Sequence, residues 1–256
     1  MGAGIIAVTI PKGGTGKSTT AHALAAGLSL RGFRTLAIDL DPQGNLTYTM
    51  GANPKGATVL EVLKGEAKAK DAIQKTPSGD AIAASLALAG ADTFIVKTGK
   101  EFRLKEALEP IAGSYDFIVL DTPPALGILT VNALTACKSV VIPAQADIYS
   151  LNGIDQLTGT LEPVKKYCNA GLTIAGVLLT RYSPRSILSR EVAEMAEEKA
   201  NELGTKLYKA TIREAIAIKE AQISRKSIFE YAPSSNGAKD YNAFVEEFLK
   251  DEAERS

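Results

Sequence analysis

The sequence predicts an α/β fold in three layers, with helices on both faces of a mostly parallel, doubly wound sheet. Three observations point there. Short, almost continuously apolar runs alternate with stretches of helical periodicity, the pattern of strands buried on both faces and joined by crossover helices. A glycine-rich loop, Pro11-Lys-Gly-Gly-Thr-Gly-Lys-Ser-Thr19, joins the first apolar run to the first helical stretch. With 256 residues, 45% of them hydrophobic, the chain can also fill a core on each side of such a sheet without a disulfide or metal staple.

Taken in order, residues 5–10, 35–39, 117–121, 139–144 and 174–180 read as buried strands, near-continuously apolar. Helical periodicity fits 18–30, 101–111, 128–136, 151–167, 187–203 and 238–250, and Gly32 stands where a helix C-cap glycine belongs. Residues 50–100 are the least legible. Within them 58–63 reads as a short helix, and the alanine-rich 80–89 fits strand or helix. No repeat, low-complexity tract or linker interrupts the pattern, so residues 1–256 are expected to form a single domain.

Bulk chemistry excludes several classes. Lys and Arg total 29 against 29 Asp and Glu, so nucleic-acid binding would need a local patch. Cys137 and Cys168 are the only cysteines and lack C-x-x-C spacing, which argues against a zinc site, an iron–sulfur cluster or a disulfide scaffold. His22, one turn into the first helix, reads as a packing or exposed residue. No apolar run approaches the ~18 residues of a membrane span, and no charged leader precedes the first strand. A cytoplasmic protein is expected.

The loop's residue types explain its chemistry. Gly13, Gly14 and Gly16 let backbone N–H groups turn around phosphate, with Thr15 and Thr19 completing the cradle, and the following helix adds its positive end. Lys17 is placed to reach the β- and γ-phosphates, and Ser18 to ligate Mg²⁺. A phosphate-binding loop asks for glycine at position 11, where this chain has Pro11, and Lys12 is a second cation it leaves unexplained. The second strand delivers Asp39 and Asp41 to its carboxyl end, where open α/β sheets bind ligands. Phe117-Ile-Val-Leu-Asp121-Thr-Pro-Pro124 reads as a Walker B strand whose Asp121 holds Mg²⁺. The set predicts a P-loop NTPase using ATP, since no N-K-x-D guanine signal is present.

On these motifs the chain resembles the ParA/Soj branch of the ParA/MinD family of deviant Walker A ATPases. Lys12-Gly-Gly-Thr-Gly-Lys17-Ser18-Thr19 matches its loop, and Asp39-Leu-Asp41-Pro-Gln-Gly-Asn45 its second motif. Asp121-Thr-Pro-Pro124, Val141-Ile-Pro-Ala-Gln145 and Phe229-Glu-Tyr-Ala-Pro233 fall where the family has counterparts. Ile10 and Pro11 depart from it, outside the cradle. The resemblance implies an ATP-sandwich homodimer in which Lys12 crosses to the partner's phosphates. It also implies Asp41 orienting the attacking water in a slow, switch-type ATPase, with Lys12, Lys17 and Asp41 as the catalytic set and Ser18, Asp39 and Asp121 around the metal.

Residues 204–229 carry six basic residues against Glu214 and Glu220. Family resemblance makes this segment a candidate surface for non-specific DNA, with Arg213, Lys219, Arg225 and Lys226 favoured. Arg181, Arg185 and Arg190 form a second cluster. No helix-turn-helix is expected ahead of the loop. The implied function is plasmid or chromosome partition, nucleoid-associated, with hydrolysis stimulated by a ParB-like partner. The competing reading is a MinD-like or cargo-positioning ATPase; the acidic last helix disfavours stable membrane association.

Overall fold

A computed structural model describes residues 3–255. The strands are β1 (Gly4–Val8), β2 (Thr35–Asp39), β3 (Ile73–Thr76), β4 (Gly79–Ile82), β5 (Phe117–Asp121), β6 (Ser139–Gln145) and β7 (Thr173–Thr180). They form one sheet in the order β3-β4-β2-β5-β1-β6-β7. Every neighbouring pair is parallel except the β3–β4 hairpin. The five predicted strands all lie within this sheet. The first ends at Val8 rather than at Ile10, because the chain leaves the ladder to begin the glycine-rich loop.

Strand alternation divides the core. Ile6 and Val8 face one layer and Ala7 the other; Val119 opposes Ile118 and Leu120 in the same way. Beneath the first face pack the loop helix Lys17–Leu30 and the last helix Asn236–Arg255, which contributes Tyr241, Phe244, Val245 and Phe248. Across the sheet, Leu129, Leu134, Leu151, Ile154 and Leu157 come from the helices Ile128–Ala136 and Ile148–Tyr167. This is the predicted three-layer arrangement, with a buried apolar core on both sides.

The structure differs from the sequence reading at several further points. Residues 73–76 form an unpredicted edge strand, and 80–89 splits into β4 and a 3-10 turn, Leu86–Gly90. The predicted helix over 101–111 is broken into a 3-10 turn, Lys100–Phe102, and a short helix, Arg103–Leu108. The helix expected at 151 starts at Ile148, because Asp147 accepts the Ser150 N–H at 2.9 Å and caps it. A further helix, Ile216–Ile223, lies inside the basic segment. Gly32, at φ 87°, does follow the loop helix as a left-handed terminator.

His22 is buried rather than exposed, its Nε2 3.0 Å from Ser78 Oγ at the hairpin turn. Burial holds its pKa down at about 4, against a weaker opposing pull from Glu230. Cys137 is buried and Cys168 half-buried, both as free thiols.

Candidate nucleotide site

Topology gathers the motifs. β2, β5 and β1 are consecutive in the sheet, so the residues at their carboxyl ends converge. Register makes this sharp: Asp121 is directly opposite Val8 on one side and Asp39 on the other.

The loop leaves β1 with Gly14 at φ 80° and Gly16 at φ 87°, left-handed values that side chains resist. A Cβ at Gly13 or Gly14 would point into open space. Three loop carbonyls are tied to the protein. Lys17 Nζ donates to the Lys12 carbonyl at 2.7 Å, Gln145 Nε2 to that of Gly14 at 2.6 Å, and Thr180 Oγ1 to that of Thr15 at 2.8 Å. This leaves the loop's N–H groups as the polar edge of the cleft. The helix Lys17–Leu30 begins with no side-chain cap and no acid in its first turn, so its positive end is free for an anion. The cleft measures about 390 Å³ and is bounded by the loop, Asp41, Tyr48, Pro124, Arg181 and Gln222. A smaller recess of about 80 Å³ shares Gly16, Thr19 and Arg181 with it and continues to Ile212 and Ile218.

Lys17 and Asp41 line the main cleft, with the Asp39 and Asp121 carboxyls buried close behind them. Lys17, Asp39, Asp41 and Asp121 are all buried. Asp39 is fully used by its own loop: Oδ1 accepts the Asp41 N–H at 3.0 Å, while Oδ2 accepts the N–H and hydroxyl of Thr47, each at 2.7 Å. Burial, with the nearby Asp41 charge, pushes Asp39 up to about 6 despite those bonds. Asp41 Oδ1 accepts the Gln43 N–H at 2.9 Å. Asp121 is different, since neither oxygen has a well-formed hydrogen bond. Burial first, then repulsion from Asp39, lifts it well above the ordinary carboxylate range, with the Ser18 hydroxyl and the Lys17 charge opposing. Burial also lowers Lys17, against attraction from Asp121 and Asp41.

A buried carboxylate with idle lone pairs beside a hydroxyl fits a divalent cation. Asp121 and Ser18 are the groups that would hold it. Asp39, expected from the sequence beside the metal, here spends both oxygens on Thr47 and the Asp41 N–H and shapes the loop. Among the described residues no cluster of three His, Cys, Asp or Glu side chains forms a metal site. That suits an ion whose other ligands are phosphate oxygens and water.

Lys12 stands apart from these groups. Its Nζ donates to both Asp147 oxygens at 2.6 Å and to Ser150 Oγ at 3.1 Å, at the cleft rim. Within one chain its ammonium is therefore occupied by Asp147, and any phosphate role requires that pair to open.

The DNA candidates are less free than their count suggests. Arg213 makes a two-pronged pair with Asp240 at 2.6 and 2.9 Å. Lys219 pairs with Glu214, Lys226 with Glu230, and Lys206 with both Glu247 and Asp251. Arg190 donates to the Pro184 carbonyl at 3.1 Å. Arg225 lies over the Tyr48 ring, 4.5 Å from its centroid. Sequence reasoning named Gln145 only as part of a motif and missed Asp147, Thr180 and Gln222. Gln145 and Thr180 end β6 and β7, so counting to strand ends would have found them.

Comparisons with known proteins agree with this geometry. A family described as an AAA domain matches residues 3–174. Sporulation initiation inhibitor protein Soj of Bacillus subtilis is 42% identical over 242 residues, 93% of this chain and 94% of that protein. Chromosome partitioning protein ParA of Caulobacter vibrioides is 37% identical over 258 residues, 98% of this chain and 96% of its own. Among solved structures, cobyrinic acid a,c-diamide synthase from Mycobacterium smegmatis, with bound ADP and magnesium, superposes with a TM-score of 0.86 at 31% identity, covering 99% of this chain and 97% of that one.

Proposed function

This chain belongs to the Soj/ParA family of chromosome-partitioning ATPases, and from that premise we propose that it is an ATP-driven partition switch assembled from two copies. The chain is a P-loop ATPase working with ATP and Mg²⁺. Lys17 and the loop N–H groups bind the phosphates, Ser18 and Asp121 hold Mg²⁺, and Asp41 orients the attacking water. Mg²⁺ supplies charge neutralisation on the phosphate oxygens. Lys12 of a second copy completes each site, and the assembled pair binds duplex DNA without sequence preference. A ParB-like protein stimulates hydrolysis and releases it. No described helix is long and apolar enough to cross a membrane.

One observation carries the two-copy reading. Lys12 lies at the rim in a pair with Asp147, while Lys17 alone occupies the cradle of its own chain. A cation supplied only on assembly stabilises the transferring phosphoryl group as an arginine finger does. Light scattering after gel filtration tests this with ADP and with a non-hydrolysable ATP analogue. The dimer is expected only with the analogue, and Lys12→Ala should lose it while still binding ATP. A monomer in both nucleotides would overturn the reading.

A second reading, positioning of a protein assembly without DNA, is favoured by the ion pairing of Lys206, Arg213, Lys219 and Lys226. Retention on arbitrary duplex DNA separates the two. DNA binding should require ATP and weaken steeply with salt, as phosphate contacts release counterions.

A further inference from the structure

Arg181 and Arg225 are the non-glycine residues with positive φ among the described residues, at 49° and 51°. At Arg225 the cause is local. The helix Ile216–Ile223 ends with the Arg225 N–H bonded to the Gln222 carbonyl and the Lys226 N–H to the Ala221 carbonyl, at 3.1 and 3.0 Å. That paired closure puts Arg225 at the left-handed position following a helix, where glycine is favoured because a Cβ is penalised. An arginine there breaks the local rule, and such breaks mark sites where something else holds the residue.

Here that something is Tyr48, whose ring lies 4.5 Å from the Arg225 guanidinium. Tyr48 belongs to the helix Asn45–Met50, which is joined to Asp41 by Pro42, Gln43 and Gly44 and is anchored at Thr47 by Asp39. It lines the phosphate cleft on one side, and on the other a neighbouring cavity of about 490 Å³ that Arg225 also lines. A second tie runs from the same helix end, where Gln222 Nε2 donates to Thr19 Oγ1 at 2.7 Å.

We propose that Tyr48 is a positioning residue that withholds Arg225 from DNA until the phosphate cleft fills. The Asp41–Tyr48 segment is one wall of that cleft, so its adjustment to phosphate and Mg²⁺ shifts the ring and frees the guanidinium for a DNA phosphate. Arg225, unlike Arg213, Lys219 and Lys226, has a ring rather than a carboxylate as its partner. An aromatic ring competes far less well with a phosphate than a carboxylate does. This rests on the DNA reading above, and the test separates the two.

Hydrogen exchange of the 224–228 amides, with and without Mg-ATP, reads the latch without DNA. Exchange should rise with nucleotide in the wild type and be high already in Tyr48→Ala; no change in the wild type overturns the proposal. Fluorescence anisotropy on duplex DNA reads the consequence. Tyr48→Ala should bind about three- to fivefold tighter than wild type without nucleotide, the strength of one exposed cation–π contact. Tyr48→Phe, keeping the ring, should match the wild type. Arg225→Gly relieves the backbone conformation, so it should fold at least as stably and yet lose part of the ATP-dependent gain. Normal ATP-dependent binding by Tyr48→Ala overturns the latch. Absence of DNA binding by the wild type in every nucleotide state overturns the DNA reading and with it this role for Arg225, while the exchange data still decide whether Tyr48 restrains the turn.

Discussion

The floor of the nucleotide cleft and the basic segment 204–229 both concentrate charge, and the fold treats them in opposite ways. At the cleft, Lys17, Asp41 and Asp121 are buried, and Asp121 has no well-formed hydrogen bond. In the basic segment, most cations meet carboxylates, either nearby in sequence at Glu214 and Glu230 or from the last helix through Asp240, Glu247 and Asp251. Charge left unsatisfied at a cost is charge reserved for a ligand. Charge neutralised at the surface contributes little to stability and must be released before it can bind anything else.

The largest break in this contrast should come from Lys17→Ala. It removes the buried cation of the cradle, and ATP affinity by calorimetry should fall about 10³-fold, in the range for losing a charged ligand contact. Next is pH, through His22 on the same helix. Its folded pKa of about 4 lies below its unfolded value near 6.5, so the neutral form is the stabilising one. Stability should therefore be intact above pH 6.5 and decline as pH falls toward 4, by about 3 kcal/mol for this group. Urea unfolding across that window should show the decline, flattened in His22→Gln.

Asp121→Asn sharpens the contrast by removing a buried carboxylate that lacks a well-formed hydrogen bond. The nucleotide-free protein should gain about 1 kcal/mol, raising Tm by about 2–4 °C. Mg-ATP should then no longer raise Tm further. The smallest effect belongs to the basic segment. Asp240→Asn releases Arg213 and should strengthen DNA binding about two- to threefold at low salt by anisotropy, vanishing at high salt. A loss of DNA binding in that variant would mean Arg213 matters for shape and not for charge.

What was legible in the sequence follows from the same physics. β2 and β5 were readable because parallel strands covered on both faces are nearly all apolar, and their bounds emerge unchanged in the structure. β3 was not, because Ile73-Gln-Lys-Thr76 is a half-exposed edge strand of four residues, too short for alternation to register. The cradle was legible because loop geometry dictates residue type along one short run, Lys12 to Thr19. Partnerships across the chain were not. Lys12 and Asp147 are 135 residues apart, and nothing local to either announces the other. The same gap made 204–229 look like an open basic patch, since Asp240 and Glu247 lie beyond the counted window.

The Lys12–Asp147 pair also determines how readily the rim can change state. Asp147 does not depend on Lys12, for it caps a 20-residue helix and keeps the Ser150 N–H whether or not the lysine is there. The positive end of that helix stays beside it as well. Withdrawing Lys12 strands no buried anion, and a partly exposed pair of this kind holds by only about 1 kcal/mol or less. The rim is thus close to thermodynamic balance, so a modest new attraction can tip it and its loss can tip it back. Reversibility is set by the aspartate that stays behind.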